Sequence, residues 1–158
     1  MDQQPQRVES HINALVVDDS TTLRRLMELL LVPLGFAIDF VESGERAIEL
    51  SKRKVFDIVF LDILLPGIDG YRVCKVLKGD KRTKATRVVM LTSKDGAIDK
   101  VRGMMAGTDV YLTKPVDRMD LIRAIDKCLP GIELSRRAYP PATGTHGHHF
   151  STLNRSRQ

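Results

Sequence analysis

Cysteine is scarce: the chain of 158 residues has two, Cys74 and Cys128. That is too few for a framework of bridges, and their spacing is not that of a metal-binding ribbon. Each falls at an apolar helix position, Cys74 beside Leu77 and Cys128 beside Ile125 and Leu129, so both are expected as buried free thiols. Long apolar runs are also missing. The longest greasy stretch, LLLVPLGFAI, is broken by Pro33 and Gly35, short of the ~18 uninterrupted apolar residues of a membrane helix. The first ten residues, MDQQPQRVES, are polar and contain no apolar segment of an export signal. A cytoplasmic protein without membrane association is expected. What is present, 42% hydrophobic and 28% charged residues, suits one globular domain with a core of its own.

Acids are thin at the C-terminal end. Residues 131–158 hold four arginines against Glu133 alone, which is +3 of the formal net charge of +5. Periodic apolar content stops at Pro130, so 131–158 is expected to be a basic, disordered tail. Residues 1–10 are expected to be a flexible N-terminus and 11–130 the folded domain. Within the domain, Arg72, Lys75, Lys78, Lys81, Arg82, Lys84 and Arg87 face only Asp80 in sequence and include one aromatic neighbour, Tyr71. A solvated face explains that run better than nucleic-acid binding does. HGHH at 146–149 has metal-binding side chains, but a disordered tail supplies no fixed partners to orient them.

The rest of the chain alternates between two periods. NALVVDD (13–19), FAIDFV (36–41), FDIVFLD (56–62), RVVMLT (87–92) and DVYLT (109–113) read as strands, nearly continuous in apolar residues as strands buried on both faces are. Between them TTLRRLMELLLVPLG places Leu23, Leu26, Met27, Leu30 and Leu34 at helical spacing. Ser20 or Thr21 is its cap, Gly35 its exit, and Pro33 bends its last turn. Helices are also expected over 43–53, 70–78, 97–106 and 118–129. Five strands alternating with five helices through right-handed crossovers give an α/β fold, a doubly wound parallel sheet in the order 2-1-3-4-5.

In such a sheet the ligand site lies beyond the carboxyl ends of the strands, where the order reverses. Strand one ends in Asp18-Asp19 and strand three in Asp62. Three carboxylates together repel unless a cation sits among them, and Mg²⁺ is the hard divalent ion that suits oxygen ligands in a cytoplasm. Thr92 and Ser93 end strand four, and Lys114-Pro115 follow strand five. A carboxylate nucleophile, an acid-held metal, a hydroxyl and a lysine are the parts that phosphoryl transfer to an aspartate requires.

The acid pair Asp18-Asp19, LDILLPGIDG, MLTSK and GTDVYLTKP, in that order across 13–130, resemble a response regulator receiver domain, a flavodoxin-like fold. The resemblance implies that Asp62 is the phosphoacceptor. Mg²⁺ would be held by Asp19, Asp62 and the backbone carbonyl of Leu64, with Asp18 acting through water. Lys114 would pair with a phosphoryl oxygen and Thr92 would hydrogen-bond another. Tyr111 would be the switch aromatic that moves with Thr92, and the Lys114-Pro115 peptide would be cis. Pro66 and Gly70 would shape the loop after Asp62, with Asp69 capping the next helix. Leu64 and Lys94 would flank the path of the water that removes the phosphoryl group. LTSKDGAIDKVRGMMAGTDVYLTKP is further similar to single-domain regulators of chemotaxis and twitching-motility systems.

The expected function is a phosphorylation-activated signalling switch, not a turnover enzyme. It takes its phosphoryl group from a histidine kinase or phosphotransfer protein, catalyses the transfer itself and loses the group slowly. A downstream protein would bind the face made by the helix over 97–106, strand five and the last helix. The alternative is an adaptor of the same fold that works without phosphorylation, for which the full acid set would be superfluous. A haloacid-dehalogenase-like phosphohydrolase requires an acid two residues after its nucleophile, where this chain has Leu64.

Overall fold

The computed structural model describes residues 11–93 and 106–132. Residues 1–10, Lys94, the expected helix over 97–106 apart from Ala106, and the tail from 133 onward lie outside them. Five strands form one sheet: β1 (Ile12–Val17), β2 (Phe36–Val41), β3 (Ile58–Asp62), β4 (Arg87–Thr92) and β5 (Val110–Thr113). Every pairing is parallel and the order is β2-β1-β3-β4-β5, as expected from the alternation of strand and helix. The described helices are α1 (Thr21–Leu31), α2 (Gly44–Arg53), α3 (Gly70–Gly79) and α4 (Arg118–Cys128).

The continuous apolar runs are split by the pleat between two cores. Ala14, Val16, Ile58, Phe60, Val89 and Leu91 point to one face, where Met27 and Leu31 of α1 and Leu121 and Ile125 of α4 close over them. Leu15, Val17, Val59, Leu61, Val88 and Met90 point to the other, against Ala47 of α2 and Val73, Cys74 and Leu77 of α3. Alternate residues serve opposite layers, which is why no strand shows a polar face. The cysteines fall on opposite sides, Cys128 in the first core and Cys74 in the second. Both are free and buried. Burial pushes the Cys128 thiol up to about 11 and also raises that of Cys74, so both stay protonated packing groups at neutral pH. Among the described residues no helix is long and apolar enough to cross a membrane.

Each of these four described α-helices starts at a side-chain cap. Ser20 accepts from the Leu23 amide, Ser43 from Arg46, Asp69 from Arg72, and Asp117 from Met119 and Asp120, each satisfying donors that the first turn leaves open. Pro33 does more than bend α1. The α-helix stops at Leu31 and a 3₁₀ turn, Val32–Leu34, follows, ending at Gly35 with φ 91°. The missing proline amide and the left-handed exit account for both changes. Strand one ends at Val17, two residues before its expected limit, so the acid pair lies wholly in the loop that follows.

Candidate functional site

Strand register assembles the site. Val17 pairs with Leu61, so the next residues, Asp18 just past β1 and Asp62 at the end of β3, come side by side. Asp62 pairs with Leu91, which puts Thr92 one step further on, and Thr92 pairs with Thr113, one residue before Lys114. The backbone continues these ladders past the strands: the Asp18 amide donates to Val41 and the Lys114 amide to Thr92. Four residues far apart in sequence thus reach one edge of the sheet because each follows, or ends, an apolar strand.

Asp18 is fully buried and Asp62 is 6% exposed, whereas Asp19 lies at the exposed rim. One carboxylate oxygen of each falls within 4.8 Å of the others. The Lys114 ammonium stands between the buried pair, 3.1 Å from Asp18 Oδ2 and 3.1 Å from Asp62 Oδ2. The opposite oxygens are held by backbone donors: Asp18 Oδ1 accepts the Ser20 amide at 2.7 Å and Asp62 Oδ1 the Leu64 amide at 3.2 Å. Both buried carboxylates are therefore fixed at each end.

Burial raises the pKa of Asp62, the neighbouring negative charge of Asp18 raises it further, and the lysine offsets only part of this. For Lys114 burial works against the charged form, but hydrogen bonds to Asp18 and Asp62 outweigh it and the pKa rises. The ammonium is thus held in its charged state by the same acids it neutralises.

The loop after Asp62 is built to close tolerances. A Cβ on Gly70 would collide with the carbonyl oxygen of Asp62, and the Gly70 amide donates to Ile63 at 3.0 Å. Only glycine lets α3 start directly against the end of β3. Leu64, in that loop, is 77% exposed.

The structure therefore brings Asp18, Asp19, Asp62 and Lys114 together. Thr92 is buried at the adjacent strand end, with its hydroxyl donating to the Ser93 carbonyl at 3.1 Å. Tyr111 is half-buried on β5, packed against the second core and lining a cleft of about 290 Å³ between β5 and α4. The Lys114-Pro115 peptide is cis, and Lys94 lies outside the described residues. Ser20 was legible as a cap, but its amide bond to Asp18 was not. That bond depends on how the chain turns after β1, and the types of residue there do not encode it. In the basic run, Arg72, Lys75, Lys81, Arg82 and Lys84 are exposed. Arg87, also exposed, and the half-buried Lys78 pair with Asp109 at 3.2 and 2.7 Å.

Three converging carboxylate oxygens, two of them buried, are a hard donor set that suits Mg²⁺ better than a softer metal. The fold and site define a class, and the comparisons agree with it. Residues 14–126 match the response regulator receiver domain. Protein PilG of Pseudomonas aeruginosa is 39% identical over 119 residues, 75% of this chain and 88% of that one. The chemotaxis response regulator CheY4 of Vibrio cholerae shares the fold, with a TM-score of 0.72 at 24% identity over 76% of this chain and all of that one (100%). The receiver domain of a Pseudomonas aeruginosa sensor histidine kinase, solved with a magnesium ion coordinated in its active-site cleft, has a TM-score of 0.69 at 25% identity, over 75% of this chain and 97% of that one. The chain belongs to the response regulator receiver domain family, whose members are phosphorylation-dependent signalling modules that bind Mg²⁺ in an acidic pocket.

Proposed function

We propose that the protein is a switch that takes a phosphoryl group onto Asp62 from a histidine kinase or phosphotransfer protein. One observation carries this: the Lys114 ammonium lies 3.1 Å from both Asp18 and Asp62, with Asp19 completing an acid cluster at the point where the strand order reverses. An ammonium between two carboxylates is placed to exchange one of them for a phosphoryl oxygen as the transferred group arrives.

Asp62 supplies the attacking oxygen, and the Leu64 amide on Oδ1 keeps the carboxylate in a fixed orientation. Asp19 and Asp62, with the Leu64 carbonyl, would hold Mg²⁺, and Asp18 would act on it through water. When bound, the ion neutralises charge on the transferred group. Thr92, one step beyond the residue paired with Asp62, is the hydroxyl that turns toward the phosphoryl group. Tyr111, one residue before Leu112 on the adjacent strand, is the aromatic whose position reports that movement. The output surface is the face carrying Tyr111 and α4, where a downstream protein binds. The 39% identity to Protein PilG, over 75% of this chain and 88% of that one, supports a regulator of that kind.

The test is intact-mass analysis after incubation with acetyl phosphate and Mg²⁺. The wild-type chain is expected to gain one phosphoryl group, while Asp62→Asn and a chelated wild-type sample gain none. Equal labelling of Asp62→Asn would overturn the assignment. Absence of labelling from every donor, kinases included, would favour the phosphorylation-independent adaptor.

A further inference from the structure

The loop from Ile63 to Asp69 follows the nucleophile, and its path decides where the Leu64 backbone lies. Its two ends are fixed by the Leu64 amide on Asp62 and by the Gly70 amide on Ile63. Its middle is held from outside by Glu45, in the first turn of α2. Glu45 Oε1 accepts the Ile68 amide at 3.0 Å, across 23 positions of sequence. The adjoining Gly67 has φ 78°, and a Cβ there would run into the Glu45 carboxylate. The carboxylate thus fills the space that a side chain at 67 would need. Immediately before it, a Cβ on Gly44 would strike the Val73 and Ile68 side chains, so the start of α2 is pressed against the same loop. A positive-φ glycine against the carboxylate, a second glycine packed against the loop and one long-range hydrogen bond describe a fitted contact. An acid in a first turn is also favoured by the helix dipole, but the dipole alone does not call for a bond to Ile68. The Ile68 amide holds the Glu45 carboxyl below its ordinary pKa, which agrees with that bond.

We propose that Glu45 is a positioning residue that pins the loop after Asp62 in the course that turns the Leu64 carbonyl toward the metal held by Asp19 and Asp62. The proposal rests on the phosphoacceptor reading above. It goes beyond that reading by placing part of the control of the site in α2, which contributes no group to the acid cluster. The acceptor oxygen is what matters, not the charge, so glutamine retains the function and alanine does not.

The experiment is Mn²⁺ binding to the full chain, followed by the electron paramagnetic resonance of the free ion, with hydrogen exchange of the Ile68 amide measured alongside. Glu45→Ala is expected to weaken Mn²⁺ binding by about two- to tenfold, the scale of one hydrogen bond, and to speed exchange at Ile68. Glu45→Gln is expected to match wild type in both. Equal weakening in the two variants would overturn the proposal in favour of a charge effect. Unchanged affinity in Glu45→Ala, while Asp62→Asn weakens binding, would overturn the proposal alone. Unchanged affinity in Asp62→Asn would overturn the site assignment, and the proposal with it.

Discussion

Leu64 places an apolar side chain two residues beyond the proposed nucleophile, 77% exposed, while its own amide is bonded to Asp62. Hydrolysis of an aspartyl phosphate needs a water in line with the bond being broken. Leucine offers such a water no hydrogen bond, and its place is tied to the carboxylate by that amide. Leu64→Asn is therefore expected to speed loss of the phosphoryl group, up to the ~10²-fold associated with one misplaced reactant. Lys94→Ala, at the other flanking position, is expected to change it less. Decay rates of the phosphorylated variants would check this, and an unchanged or slower Leu64→Asn would contradict it. At this scale the sequence was most readable where a polar or charged group follows or ends an apolar strand, as Asp18 and Lys114 follow β1 and β5 and Asp62 ends β3. Glu45 gave no such signal. It is an exposed acid in a first helical turn, and its partner is a backbone amide in a loop 23 positions away.

The elements show the same division. Strand alternation was legible because each strand divides its side chains between two cores. The end of β1 was not, because Asp18 turns out of the sheet to accept the Ser20 amide. The ion cluster on Asp109 was likewise hidden, since it joins three segments at the opposite end of the sheet. Asp109 accepts from Lys78 at 2.7 Å, from the Val88 amide at 2.8 Å and from Arg87 at 3.2 Å, tying α3 and β4 to the residue just before β5. Burial works to raise its pKa, but these donors outweigh burial and lower it. A depressed folded-state pKa gives stability that is present above the unfolded value and lost as pH falls through the folded one. Asp109→Asn should thus be less stable than wild type at pH 7 by about 1–3 kcal/mol. The gap should narrow below about pH 4, where the unfolded carboxyl is protonated. Denaturant melts of both proteins across this range would measure it, and a gap that widens in acid would contradict the assignment.

Across the whole molecule, the two cores account for the packing of every described strand and helix, and the reactive groups gather at one edge. The basic residues beyond Ile132 carry no periodic apolar face to add to either core. Deleting 135–158 is expected to leave folding and phosphorylation intact, as judged by thermal melts and labelling. A loss of about 2–5 kcal/mol, the scale of a truncated core residue, would mean that the tail docks on the domain. The most direct measurement concerns where the phosphoryl group resides. Borohydride reduces an aspartyl phosphate to homoserine, so peptide mapping after treatment with acetyl phosphate, Mg²⁺ and then borohydride marks the acceptor. Homoserine at position 62, dependent on both donor and metal, is the expected result. Homoserine at Asp18, Asp19 or elsewhere, or none at 62 in a protein that carries the label, would contradict it.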